Sequence, residues 1–226
     1  MSEINYTILI VDENEEQIDD FKNFIESLSN DILVFGLSAL ADDNELLQFV
    51  IENEIEAVAF DYKLKENNSS FEQNGDAYQT VLLENFENFP TFIITNNPAD
   101  SKSMRTDPFK IIDKSIVNYD SERPEQLQEA ALLIDKIRQS IDTYKDNIAT
   151  WEEELFQLIE MQNAGKELSD TQLKKMVDLD SRLENSISKK SKIPKDWKSP
   201  AAMQEIVNMV SNSEDILSEL KKLNDE

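Results

Sequence analysis

The sequence contains no cysteine and no histidine, and only 3 of its 226 residues are glycine. Without cysteine the chain can form no disulfide and no thiol nucleophile, which is typical of a cytoplasmic protein. Without histidine it has no imidazole for acid–base catalysis or metal binding, and it cannot itself carry a phosphohistidine. The scarcity of glycine also argues against a glycine-rich loop that would cradle a nucleotide phosphate.

Positive charge is scarce as well, because 22 Lys and Arg residues stand against 47 Asp and Glu residues, a formal net charge of −25. Such a surface repels the phosphates of nucleic acid, and it lacks the basic residues that attract anionic membranes. No apolar run is long enough to span a bilayer, and residues 1–5 lack the features of a signal peptide. We therefore expect a cytoplasmic protein that binds neither nucleic acid nor membranes.

Short apolar segments alternate with helical patterns through the first half of the chain. The apolar segments are residues 7–11, 32–35, 56–60, 91–94 and 109–113. The helical patterns lie near 18–28, 46–51 and 75–86, with a short, weak one near 102–105, whereas residues 65–74 form a long polar loop. This alternation predicts an α/β fold with a doubly wound parallel sheet.

Polar side chains follow four of the five predicted strands. Asp12 and Glu13 follow the first strand, Asp61 ends the third, Thr95 the fourth, and Lys114 the fifth. The carboxyl ends of parallel strands meet at one edge of a sheet, which is where open α/β folds bind ligands. Three carboxylates at one place repel each other, and a divalent cation such as Mg²⁺ relieves that repulsion with oxygen ligands.

These residues, in this order along 5–140, resemble the receiver domain of two-component response regulators. The resemblance implies a flavodoxin-like five-stranded sheet in the order 2-1-3-4-5. It also implies that a partner histidine kinase or phosphotransfer protein phosphorylates Asp61 in a Mg²⁺-dependent reaction. The implied metal ligands are Asp12, Glu13, Asp61 and the backbone carbonyl of Lys63, and the implied phosphoryl contacts are Thr95 and Lys114.

Five positions depart from the usual receiver pattern. Glu13 replaces the more common second Asp, and Ser115 stands where a proline usually follows the lysine. Three further departures make candidate modulators of the site: Lys63 two residues after Asp61, Asn96 in place of a small residue, and Ile111 in place of an aromatic switch residue. These departures leave open a degenerate receiver that acts as a docking or adaptor protein without phosphorylation, or a phosphate sink.

A phosphatase of the haloacid dehalogenase type is a further alternative, because such enzymes also use a strand-end Asp nucleophile together with Thr or Ser and Lys. They require a second acid two residues after the nucleophile, where this chain has Lys63. We therefore expect that the chain is not an enzyme and that its output is contact with a downstream protein.

The second half has no strand pattern and predicts a helix over 124–164 that carries a heptad seam. The seam residues are Leu127, Ala130, Ile134, Ile137, Ile141, Tyr144, Ile148, Trp151, Leu155, Leu158 and Gln162. Gly165 is expected to end this helix, and a second helix is expected over 169–188. A linker over 189–199, containing Trp197, and a third helix from Pro200 complete the pattern.

We therefore predict a receiver domain over 1–140 and an all-α coiled-coil or helical-bundle module over 141–226. The apolar face after Ile148 includes Phe156 and Ile159 and is wider than one partner helix would cover. This width predicts a homodimer through the helical module.

Overall fold

The computed structural model of the chain describes residues 4–67, 70–97 and 107–187, in which five strands and six helices follow one another. They are β1 (Tyr6–Val11), α1 (Glu15–Leu28), β2 (Ile32–Leu37), α2 (Asp43–Glu52), β3 (Ala57–Asp61), α3 (Leu64–Asn67), α4 (Gly75–Asn85), β4 (Thr91–Thr95), β5 (Ile111–Asp113), α5 (Pro124–Asn163) and α6 (Asp170–Ile187). Two short 3-10 turns, Pro108–Lys110 and Lys114–Asn118, flank β5. None of the described helices is long and apolar enough to cross a membrane.

The five strands form one parallel sheet in the order β2-β1-β3-β4-β5. Every residue of β3 and β4 is buried. Continuous burial explains why these strands are apolar runs rather than alternating ones, since helices cover both faces of a doubly wound sheet. The predicted flavodoxin-like fold and its strand order are confirmed.

Consecutive residues of β1 point to opposite faces of the sheet and so enter two separate cores. Ile8 and Ile10 pack with residues of α1 and α5, and Leu9 and Val11 pack with residues of α2 and α4. Because the pattern of side chains has a period of two, the two cores share the same strands and hold them rigidly between the layers of helices. This rigid sheet fixes the positions of the residues at its carboxyl edge.

The fifth strand is shorter than the sequence predicted. We expected a strand over 109–113, but Pro108–Lys110 form a 3-10 turn and only Ile111–Asp113 pair with β4. The carboxylate of Asp107 accepts a hydrogen bond from the Phe109 N–H at 3.0 Å, and the Asp107 carbonyl accepts one from the Lys110 N–H at 2.8 Å. These local bonds stabilise a turn in place of the strand, and the Phe109 side chain is left 79% exposed.

Two other connections also differ from, or lie beyond, the expectation. The predicted polar loop over 65–74 overlaps the short helix α3. Leu64, the first residue of α3, and Phe71, which comes after the helix, are buried in the core with residues of α4. The short helix predicted near 102–105 lies outside the described residues.

Helix α5 runs for 40 residues, as the heptad seam predicted. Its seam residues Ala130, Ile134, Ile137 and Ile141 are buried against the sheet. From Arg138 onward, polar and aromatic side chains of α5 contact residues at the amino edge of the sheet, where the strands begin. These contacts, which we call the amino-edge collar, pair Arg138 with Asp31, Asp142 with Tyr6, Tyr144 with Phe89, and Lys145 with Glu56.

The chain divides into two compact units between Asn147 and Ile148. This division falls within α5, as does the boundary predicted after residue 140. In the second unit the end of α5 and the antiparallel helix α6 form a hairpin, with Gly165 in the turn at φ +73. Leu158, Met176 and Leu179 form its buried core, whereas Phe156 and Ile159 on another side of α5 are exposed. The predicted linker with Trp197 and the third helix lie outside the described residues.

Candidate functional site

Four polar side chains are buried together at the carboxyl edge of the sheet. Asp12, Asp61, Thr95 and Lys114 are exposed by 0%, 4%, 4% and 5%. Strands β1, β3 and β4 are neighbours in the sheet, so their ends carry Asp12, Asp61 and Thr95 to adjacent places. Lys114 comes from the 3-10 turn that follows β5. Burial of charged groups is costly unless they are paired, so their pairing decides what this cluster can do.

The ammonium of Lys114 binds both buried carboxylates. Its Nζ lies 2.7 Å from Asp12 Oδ2 and 2.6 Å from Asp61 Oδ1. The other oxygen of each carboxylate accepts a backbone hydrogen bond: Asp12 Oδ1 from the Asn14 N–H at 3.0 Å, and Asp61 Oδ2 from the Lys63 N–H at 2.8 Å. The carboxylate of Asp61 is therefore held in one orientation from both sides.

Burial and charge act on the titration of this cluster in opposite directions. Burial raises the pKa of Asp12 by more than the hydrogen bond and charge of Lys114 lower it, so the net shift is upward from the ordinary value of 3.8. Burial works to lower the pKa of Lys114, but hydrogen bonds to Asp12 and Asp61 outweigh it and the pKa is raised. Lys114 therefore stays an ammonium. Its single positive charge is shared by two carboxyl groups, so it does not fully balance the charge of both when they are ionised.

An open pocket of about 670 Å³ lies over Asp61. Six residues predicted for the site line it: Glu13, Asp61, Lys63, Thr95, Asn96 and Lys114. Asp12 is fully buried and reaches the site through Lys114. Ile111 does not line this pocket; it begins β5 and packs, half-buried, against the core that contains Leu9 and Val11.

Four residues with side-chain amides also line the pocket and were not predicted as site residues. They are Asn14, Gln17, Asn97 and Asn118. Asn14 caps α1 by accepting a hydrogen bond from the Glu16 N–H at 2.9 Å, and the Asn97 N–H donates to Thr95 Oγ1 at 3.2 Å. The sequence signal of Asn14 and Asn97 was their place just after strand-end residues, where they could also be read as helix caps. Gln17 and Asn118 lie further along, in α1 and in the turn after β5, and had no such signal.

Lys63 contributes its backbone and its side chain in different ways. Its N–H binds Asp61, whereas its ammonium forms an ion pair with Glu66 at 3.1 Å. The two side chains of this pair are 49% and 53% exposed, so the pair contributes little to stability.

The oxygen donors at this edge are of the kind that Mg²⁺ takes in proteins. Asp12 and Asp61 share one ammonium, and Glu13 lines the same pocket. However, within residues 4–67, 70–97 and 107–187 no three acidic side chains converge as a metal-binding group. Lys114 supplies the positive charge that Asp12 and Asp61 share, so the site fits the ion by its chemistry but is arranged around the lysine.

No protein-family model matches the chain, and no curated protein matches it. The structure is similar to a response regulator receiver domain protein from Clostridium thermocellum, at 16% identity and a TM-score of 0.42, covering 62% of this chain and 98% of that one. It is also similar to the response regulator domain of Thermotoga maritima CheB, at 18% identity and a TM-score of 0.40, covering 61% and 96%.

A third similar structure is the response regulator RcsB of Salmonella typhimurium, at 16% identity and a TM-score of 0.41, covering 79% of this chain and 92% of that one. That structure is described in terms of its interaction with DNA. The strand order of the sheet and the residues at its carboxyl edge show that the first unit of this chain has the fold of a receiver domain.

Proposed function

We propose that this chain is a response regulator whose first unit accepts a phosphoryl group on Asp61 from a histidine kinase or phosphotransfer protein. The observation that carries this proposal is the setting of Asp61 in the pocket. Its carboxylate lies at the floor of an open cavity, with the Lys114 ammonium at 2.6 Å on one oxygen and the Lys63 N–H at 2.8 Å on the other.

The chemistry of the transfer follows from these contacts. A carboxylate oxygen of Asp61 attacks the phosphorus of the donor, a new oxygen–phosphorus bond forms, and the bond to the donor's leaving group breaks. The product is an acyl phosphate, and the Lys114 ammonium stabilises the negative charge that accumulates on the phosphoryl oxygens. Thr95 lines the same pocket and supplies a hydroxyl that can donate a hydrogen bond to them.

Mg²⁺ is part of this proposal. Asp12, Glu13, Asp61 and the backbone carbonyl of Lys63 would hold the ion, which would add positive charge at the phosphoryl oxygens. Asp12 and Asp61 carry two negative charges against one positive charge from Lys114, and this imbalance favours a cation.

We propose protein contact, rather than catalysis of a separate substrate, as the output. Lys63 occupies the place where a phosphatase of the haloacid dehalogenase type needs its second acid, and its ammonium is paired with Glu66. RcsB is described with DNA, but the net charge of −25 on this chain disfavours that partner. Exposed Phe156 and Ile159 on the second unit favour a protein partner or a homodimer.

A second candidate function is a docking protein that works without phosphorylation. The arrangement of the acidic side chains favours it, because within the described ranges no three of them converge on one point. The departures at Asn96, Ile111 and Ser115 point the same way. A phosphate sink, which accepts phosphoryl groups from a shared kinase and has no output of its own, is a variant of the first proposal with the same chemistry at Asp61.

Intact mass after incubation with Mg²⁺ and acetyl phosphate separates the two candidates. The wild type should gain the mass of one phosphoryl group, and Asp61→Asn should gain none. Asp113→Asn is the matched control, because Asp113 also ends a strand at this edge but is exposed and caps the Ser115 N–H. Equal modification of Asp61→Asn would refute the assignment, and a wild type that responds to no donor or beryllofluoride mimic would support the docking protein.

A further inference from the structure

Helix α4 begins in direct contact with the main chain of Asp61. A Cβ placed on Gly75, its first residue, would lie 2.1 Å from the Asp61 carbonyl oxygen and 2.9 Å from the carbonyl carbon. It would also lie 2.9 Å from Phe60 Cβ. A real Cβ atom essentially never approaches a non-bonded atom this closely, so no residue with a side chain fits here unless the backbone moves. Space, rather than a left-handed backbone, makes glycine necessary at this position.

A hydrogen bond joins the same two segments. The Gly75 N–H donates to the Tyr62 carbonyl at 3.1 Å, and the Tyr62 N–H donates to the Ile94 carbonyl at 3.0 Å. The peptide units on both sides of Tyr62 are thus held, one by α4 and one by β4. The next residue, Lys63, uses its N–H to hold the Asp61 carboxylate. The turn Asp61–Tyr62–Lys63 therefore takes its position from Gly75.

Helix α4 has no room to retreat from this contact. Tyr78, Gln79 and Leu82 are buried, and the Tyr78 ring stacks on Phe60 with ring centroids 6.3 Å apart. The Gln79 side chain also donates to Thr91 Oγ1 at 3.1 Å. A methyl group at residue 75 would therefore displace the Asp61 turn, since the helix is anchored on the other side.

We propose that Gly75 is a positioning residue for phosphoryl transfer to Asp61, an inference that rests on the proposed function. By packing under the Asp61 carbonyl, Gly75 sets the distance of the carboxylate from Lys114 and aims it into the pocket. Widening the 2.1 Å separation of the Cβ from the Asp61 oxygen to an ordinary contact requires a shift of about 1 Å, and misplacements of about 1 Å can slow a reaction by about a hundredfold.

Gly36 provides a matched control, because it is a second glycine that lies close against another segment, and it does not line the pocket. The three atoms nearest to a Cβ on Gly36 would all belong to the Ile18 side chain, the first at 2.3 Å. Gly36 lies in β2 opposite Ile10, and a side chain such as Ile18 can rotate where a carbonyl group cannot. Gly36→Ala thus perturbs the packing of the first unit without displacing Asp61.

The first test compares Gly75→Ala and Gly36→Ala in the full chain. With Mg²⁺ and saturating acetyl phosphate, Gly75→Ala should be phosphorylated about a hundredfold more slowly than the wild type, whereas Gly36→Ala should react at nearly the wild-type rate. Circular dichroism verifies that each variant is folded. Equal rates for the two folded variants would overturn the role of Gly75 while leaving the phosphorylation of Asp61 intact.

The second test needs no variant at position 75. With only 3 glycines in the chain, isotope-labelled glycine gives three backbone amide signals. Gly36→Ala identifies the first and Gly165→Asn, at a φ of +73 that asparagine tolerates, identifies the second, so the third belongs to Gly75. On adding Mg²⁺ and beryllofluoride to the wild type, the Gly75 signal should move and the Gly36 and Gly165 signals should stay. A Gly75 signal that stays in place while Asp61 can be phosphorylated would overturn the proposal, even if Gly75→Ala fails to fold. A wild type that accepts no phosphoryl group would refute the proposed function and this inference together.

Discussion

Of the single substitutions at the site, Lys114→Met should lower the free energy of unfolding of the first unit the most. Methionine keeps most of the length of the side chain and removes the charge that binds Asp12 and Asp61 at 2.7 and 2.6 Å. The side chains of Lys114, Asp12 and Asp61 are only 6%, 0% and 6% exposed, so water replaces few of the lost contacts. Removing one partner of a buried ion pair costs about 3–5 kcal/mol, because the other charge is left buried and unpaired.

This loss is a large part of the total stability of a domain, which is about 5–15 kcal/mol. It should also depend on pH. Two buried carboxylates facing each other raise the pKa of one of them, above the upward shift that burial already gives Asp12. A carboxyl group whose pKa is higher in the folded state binds more protons there, so the stability of Lys114→Met should rise as the pH falls.

Urea unfolding followed by far-UV circular dichroism measures this effect at neutral and mildly acidic pH. Both tryptophans, Trp151 and Trp197, belong to the second unit, so their fluorescence provides an internal control that should change little. Adding Asp61→Asn to Lys114→Met removes one of the facing carboxylates and should restore much of the stability. The reasoning is refuted if Lys114→Met costs less than about 1 kcal/mol, or if the double variant is no more stable than the single one.

Three further predictions concern the metal, the collar and the second unit. Mg²⁺ should raise the melting temperature of the wild type but not of Asp12→Asn with Glu13→Gln; a retained rise would place the ion elsewhere. Hydrogen bonds from Ser29 and then Arg138 lower the pKa of Asp31 from 3.8, so Asp31 stabilises the fold above that pH, and this contribution disappears as the pH falls through the lowered value. The urea midpoint of Arg138→Met should therefore differ from wild type near neutral pH and converge with it in acid; a constant gap would contradict this. Light scattering should show a homodimer that Phe156→Glu dissociates and Leu132→Glu, an equally exposed apolar position in the first unit, does not; a monomeric wild type would exclude the dimer.

The strand-end residues could be predicted from the sequence because parallel strands leave their carboxyl ends at one edge. Once the apolar runs were assigned, the gathering of Asp12, Asp61, Thr95 and Lys114 followed from topology alone. The sharing of one ammonium by two carboxylates did not follow, since it depends on side-chain conformations in the folded core. In the structure the Lys114 ammonium lies between Asp12 and Asp61 and contacts both carboxylates.

Other features escaped prediction because they arise from contacts distant in the sequence or from local competition. Gly75 looks like an ordinary helix start, and only the approach of the Asp61 carbonyl makes a side chain impossible there. The apolar pattern of 109–113 predicted a full strand, but the hydrogen bonds of Asp107 to the next turn prevailed over it. Local bonds of this kind compete directly with strand pairing, and apolar periodicity does not reveal them.

The amino-edge collar has a consequence for the synthesis of the chain. The hydroxyl of Tyr6 donates a hydrogen bond to Asp142 at 3.1 Å. Asp142 is synthesised 136 residues after Tyr6, so this contact with the first strand can form only after that part of α5 has been translated. Ribosomes add about 5–20 residues per second, and this separation corresponds to a delay of about 7–27 s. During that interval β1 can pair with β2 and β3 and one of its apolar faces can pack on α1, but its amino end and the rest of that face lack α5. The nascent first unit therefore exposes this strand to chaperones and to neighbouring chains until translation has passed Lys145.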